Sequence, residues 1–222
     1  MSRRAAVKLA LGGCMLGLFV PVAAAADAPA PVPLGDVLRR LETTFSGITN
    51  VTTRFIEEKE LSILKRKVIL KGHIAVRQPD GFAWHVDEPL RYSMIVTGKT
   101  ISQWDEESDK VQQASLAANP VIQIVAQQFR MWFSGQYSGL TNTFEVAVTS
   151  GAPLTMELVP RADAVPQKDV RRVTVVFRED EQYLKTITIE EASGDRTRMT
   201  FLDTLINVSP DPDDWKVRPH GK

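Results

Sequence analysis

Two periodicities divide the chain. Leu34, Val37, Leu38, Leu41, Phe45 and Ile48 recur at helical spacing, with Asp36, Arg39, Arg40 and Glu42 between them. This spacing predicts an amphipathic helix of about three to four turns ending near Gly47. Asn119-Pro120 opens a second helix, an N-cap residue followed by proline at the first helical position, and Ser134-Gly135 closes it. Its apolar residues, from Val121 through Phe129, Trp132 and Phe133, spread more than halfway round, so it is expected to touch two surfaces. Elsewhere the pattern alternates with period two, over 51–58, 66–77, 82–87, 91–97, 100–105, 110–114, 143–149, 154–160, 170–178, 183–191 and 196–204. Gly98-Lys99 and Asp80-Gly81 mark tight hairpins. Few helices separate these strands, which excludes parallel crossovers and predicts an antiparallel meander that curls or partly closes.

One face of that sheet is apolar and the other polar. Phe82, Trp84 and Val86 share a face, as do Tyr92, Met94 and Val96. Later strands add Phe144/Val146/Val148, Val173/Val175/Phe177, Ile187/Ile189 and Met199/Phe201. Opposite positions hold Glu145, Arg172, Arg178, Lys185, Thr186 and Arg198. Two outcomes stay open: a core filled by two helices, or an apolar cavity that two helices are too few to fill.

The N-terminus changes the compartment rather than the fold. Arg3, Arg4 and Lys8 precede an uncharged run from Leu9 to Val20, and Ala24-Ala25-Ala26 supplies small residues for cleavage after Ala26. The run is shorter than the ~20 apolar residues of a membrane-spanning helix. Residues 1–26 therefore read as a cleaved signal peptide, 27–33 as a flexible Pro/Ala tether, 34–208 as a single domain and 209–222 as a polar, solvated tail. Arg3-Arg4 also fits a twin-arginine signal, and Leu11-Gly12-Gly13-Cys14 resembles a lipidation box. The continuing apolar run beyond Cys14 speaks against lipidation there.

Composition mainly excludes. The 222 residues carry 27 Lys+Arg against 27 Asp+Glu, a balance unsuited to gripping nucleic-acid phosphates. A single cysteine rules out a disulfide framework, a four-cysteine zinc site and an iron–sulfur cluster. No nucleophile elbow, zinc-protease helix, phosphate loop or dinucleotide fingerprint is present. His73 and His85 fall opposite the apolar positions and read as surface or rim histidines, and His220 lies in the tail. Glu57-Glu58 and Glu106-Glu107 are adjacent on strands, so each pair points to opposite faces and makes a poor acid/base couple. Asp211, Asp213 and Asp214 lack the glycine and glutamate of a calcium loop. The expectation is a protein with no catalytic residues, metal or cofactor.

Three stretches carry a recognisable pattern: Gly72 to Pro89 with Pro79, Phe82 and Trp84; Ile95 to Thr100; and Val51 to Phe55. Together they resemble the periplasmic outer-membrane lipoprotein carrier (LolA-like) family. The resemblance implies an unclosed antiparallel β-barrel covered by a few helices, which form a lid over an apolar cavity. It further implies a monomer that shelters the acyl chains of lipoproteins between an inner-membrane ABC transporter and an outer-membrane receptor. Phe82 and Trp84 match the family's inward aromatic positions. Met94 and Val96 share the apolar face, and helix phase adds Phe129, Trp132 and Phe133 on the lid side.

The sequence departs from the family at two points. Gln78 stands where the family has the arginine that holds the lid and acts in release, and Arg77 lies one residue earlier, on the opposite face of a strand; by the resemblance these two are the candidates for a lid or release role. Thr97 replaces the aspartate before Gly98. Two alternatives follow: a periplasmic carrier of another acylated lipid or glycolipid, and a protein-binding sensor module.

Overall fold

Period-two alternation favours a sheet with one buried face, and the chain forms a sheet of eleven strands. The structure is a computed structural model that describes residues 33–63, 66–79, 81–118, 131, 133, 135–162 and 170–217. The strands are β1 (Asn50–Leu61), β2 (Arg66–Arg77), β3 (Gly81–Glu88), β4 (Tyr92–Thr97), β5 (Thr100–Asp105) and β6 (Val111–Ser115). After a crossing segment come β7 (Phe144–Gly151), β8 (Leu154–Pro160), β9 (Val170–Phe177), β10 (Leu184–Glu191) and β11 (Arg196–Ile206).

Their spatial order is β6-β5-β4-β3-β2-β1-β11-β10-β9-β8-β7. Two meanders are thus joined by antiparallel pairing of β1 with β11, in which Phe55 faces Phe201 and Glu57 faces Met199. The edges β6 and β7 do not pair with each other, so the curved antiparallel sheet stays unclosed. The Gly98 turn forms as expected, with glycine at φ 58° where a side chain is disfavoured.

Helix α1 (Leu34–Phe45) buries Val37, Leu38, Leu41 and Phe45, the stripe its spacing predicts. Most of the second predicted helix lies outside the described residues; Met131 and Phe133 within it are helical. Gly135 follows at φ 77°, and a Cβ there would stand 2.2 Å from Phe45 Cβ. That glycine lets the chain at 135–142 lie directly on α1. Tyr137 and Leu140, in a short 3-10 turn (Tyr137–Asn142), are buried beside it.

Candidate functional site

The inner face of the sheet is the candidate site, and register defines it. Val51, Thr53, Phe55 and Glu57 on β1 point the same way as Val76, Ile74, Gly72 and Leu70 on β2, which stand opposite them. The row continues through Phe82, Trp84 and Val86 on β3 to Val96, Met94 and Tyr92 on β4. On the other side it runs through Phe201 and Met199 to Ile187 and Val175.

This face has a dry part and a part-open part. Phe45 meets Tyr137 edge-on at 5.3 Å and stacks on Tyr183 at 6.0 Å, while Phe133 meets Tyr183 and Phe201 at 5.7 and 5.6 Å. There Phe45 of α1, Tyr137 and Phe133 pack against Tyr183 and Phe201. Leu70, Trp84, Tyr92, Val146, Val148 and Ile189 belong to the same apolar cluster but are only half-buried. These large apolar side chains turn inward, pack against the core and remain partly accessible to water.

An aromatic wall is set by one glycine. At Gly72 a Cβ would lie 1.9 Å from the His85 carbonyl oxygen and 2.9 Å from Phe55 Cε1. The missing side chain lets the Phe55 ring lie across β2 and reach Trp84, with ring centroids 5.1 Å apart. Phe82 lies 6.4 Å from Trp84 on the same face.

Residues 46–218 match the sequence profile of the family described as "Outer membrane lipoprotein carrier protein LolA". The chain belongs to the LolA family. An outer-membrane lipoprotein carrier protein of Pseudomonas syringae pv. syringae is 25% identical over 139 residues, 62% of each chain. That of Chromohalobacter salexigens is 22% identical over 169 residues, 76% of each chain. The alignment to the Pseudomonas syringae protein thus spans less than two thirds of that relative's length. Among solved structures, a LolA superfamily protein from Nitrosomonas europaea is 9% identical, with a TM-score of 0.44 over 81% of this chain and 96% of that one. The lipoprotein LppX from Mycobacterium tuberculosis is 15% identical, with a TM-score of 0.46 over 80% and 97%.

Within this LolA-family chain the expected site residues divide. Phe82, Met94, Val96 and Phe133 are buried on the inner side, and Trp84 is half-buried among them. Phe129 and Trp132 lie outside the described residues. Gln78 sits exposed in the β2–β3 turn, its backbone N–H donating to the Thr49 carbonyl at 2.9 Å. Arg77 is on the outer face, where its guanidinium carbon stands 4.4 Å from the centre of the Trp215 ring.

That contact belongs to a feature the sequence reading missed. Residues 209–217, expected to belong to a solvated tail, instead dock on the outer face of β2–β4. Asp211 caps a short 3-10 turn (Pro212–Trp215) by accepting from the Asp213 N–H at 2.9 Å. Trp215 and Val217 then cover Ala75, Ala83 and Ile95, and the Ser93 hydroxyl donates to the Val217 carbonyl. His85 is buried at 2% exposure rather than a surface histidine, with Nε2 2.8 Å from the Asp214 carbonyl oxygen. A carbonyl only accepts, so Nε2 carries the proton and buried Nδ1 is left without a partner. Burial holds the His85 pKa below 6.5. His73 stacks on it at 4.6 Å and pairs with Asp87 at 3.0 Å.

Proposed function

We propose that this protein is a non-enzymatic periplasmic carrier whose inner face shelters the acyl chains of lipoproteins in an apolar cavity between the inner and outer membranes. The observation that carries the reading is the half-buried apolar wall around Trp84, continuous with a dry core and turned inward. An acyl chain in water costs about 0.8 kcal/mol per methylene, so a chaperone must offer a surface that is apolar yet not already filled. Phe82, Trp84, Met94, Val96 and Phe133 are assigned to that lining, with Met94 as an adaptable filler. The signal-like residues 1–26 and the relatives' names support periplasmic work, with cargo received from an inner-membrane ABC transporter and passed to an outer-membrane receptor. Gln78, at the position of the family's release arginine, is assigned to cargo release.

The test is displacement of an apolar fluorophore from the purified protein by a triacylated lipopeptide, with free fatty acid and an unacylated peptide alongside. Preferential displacement by the lipopeptide is expected. Displacement by fatty acid alone would point to a carrier of another lipid. Absence of fluorophore binding would mean a filled core and would remove the carrier reading.

A further inference from the structure

One cross-strand row on the inner face grades from polar to apolar. Gln112 on β6 stands opposite Gln103 on β5, which stands opposite Met94 on β4, and Met94 in turn stands opposite Trp84 on β3. All five residues of β6 are exposed, so the Gln112 end of the row is open to solvent. Gln103 is half-buried, Met94 is buried, and beyond Trp84 the row reaches buried Ile74.

The two glutamine amides keep hydrogen-bonding capacity that the fold does not use. Gln103 Nε2 donates to the Tyr92 hydroxyl at 2.8 Å. That bond occupies one N–H of the amide and leaves the Gln103 carbonyl oxygen without a donor among the described residues. Burial raises the Tyr92 pKa above 10, so the phenol stays neutral and keeps its own O–H to donate. Gln112 makes no side-chain hydrogen bond among the described residues. Asp105, also inward on β5, is already engaged, accepting from the Ser108 N–H at 2.7 Å and the Ser108 hydroxyl at 2.6 Å.

Resting on the carrier reading above, we propose that Gln103 and Gln112 bind the uncharged linkage region of the cargo, the amide and ester groups that join its acyl chains, at the open edge of the sheet. In a triacylated lipopeptide the α-amine is itself acylated, so this region offers carbonyl acceptors and an amide N–H but no charge. Glutamine side chains match that set with donors and an acceptor of their own. The dimensions agree. Neighbouring strands lie about 4.8 Å apart, which puts Trp84 about 14 Å from Gln112 along the sheet. One acyl chain reaches about 15 Å, half of the ~30 Å hydrocarbon core of a bilayer. A chain held at the glutamines therefore crosses β5 and β4 onto the indole, and the few placed polar groups fix its direction.

Two triacylated lipopeptides with identical chains test this, one with its N-acyl chain amide-linked and one in which that N–H is replaced by an ester oxygen. Each displaces an apolar fluorophore from the wild type and from the double variant Gln103→Leu/Gln112→Leu, whose changes fall on a half-buried and an exposed position. The wild type is expected to bind the amide about fivefold more tightly than the ester, the contribution of one neutral hydrogen bond. The double variant is expected to bind both equally. A wild type indifferent to the exchange, or a preference that survives in the double variant, overturns the glutamine site while leaving the carrier intact. Displacement by neither peptide from the wild type overturns both.

Discussion

Arg77 stands over the indole of Trp215, its guanidinium carbon 4.4 Å from the ring centre. The contact joins the end of β2 to a C-terminal segment that covers Ala75, Ala83 and Ile95 on the outer face. The sheet therefore has apolar surface on both sides, and a different element covers each. Trp215→Ala removes most of the outer cover and is expected to cost about 1–2 kcal/mol, less than a fully buried tryptophan because Trp215 is half-exposed. The urea midpoint reads that loss, and an unchanged midpoint would show that the segment contributes nothing to stability.

Acid should loosen the same segment. The unfolded chain takes up a proton at His85 near pH 6.5, while the folded chain resists it, because burial dominates over the favourable Asp214 carbonyl. Stability from this group is thus complete above pH 6.5 and is lost as the pH falls below it. Asp214 works in the opposite direction: burial raises its pKa above 3.8, so its own penalty eases as it protonates at lower pH. His73, paired with Asp87 and 3.6 Å from Asp214, is the third group in the cluster. Thermal melts between pH 7.5 and 5.5 should show a falling Tm that His85→Gln flattens. Parallel slopes in the two proteins would remove His85 as the cause.

Tyr183 carries the clearest internal cost. Its ring is buried between Phe45 and Phe133, yet among the described residues its hydroxyl has no hydrogen-bond partner. Burial also lifts its pKa well above 10, so it remains a neutral phenol. Tyr183→Phe keeps the ring contacts and deletes the orphan group, and should stabilise the fold by about 1 kcal/mol. A loss of stability on equilibrium unfolding would mean that the hydroxyl is satisfied in solution.

Most strands were legible because apolar and polar positions alternate along them and turn residues separate them, whereas β6 is exposed at every position and was marked mainly by its place after β5. The α1 stripe was legible because Val37, Leu38, Leu41 and Phe45 all serve one face. The docked C-terminus was not, since Asp211 to Val217 has no periodicity and its turn is only four residues long. A signal for the histidine pair did exist. The short turn before Gly81 sets Arg77 opposite Gly81, and counting back places His73 opposite His85. Glu57 was equally within reach, because the alternation that separates it from Glu58 puts it on the face of Phe55. The dependence of the aromatic wall on Gly72 could not be seen, as it rests on how closely β3 passes.

The central claim is that acyl chains lie against Trp84, and collisional quenching tests it directly. A lipopeptide with brominated acyl chains quenches only those indoles it touches, and comparing wild type with Trp84→Phe isolates the emission of Trp84. The account predicts saturable quenching in the wild type and in Trp132→Phe, reversed by the unbrominated lipopeptide; in the Trp132→Phe background it is largely lost on adding Trp84→Phe and retained on adding Trp215→Phe. Quenching as deep after adding Trp84→Phe as in Trp132→Phe alone would contradict it.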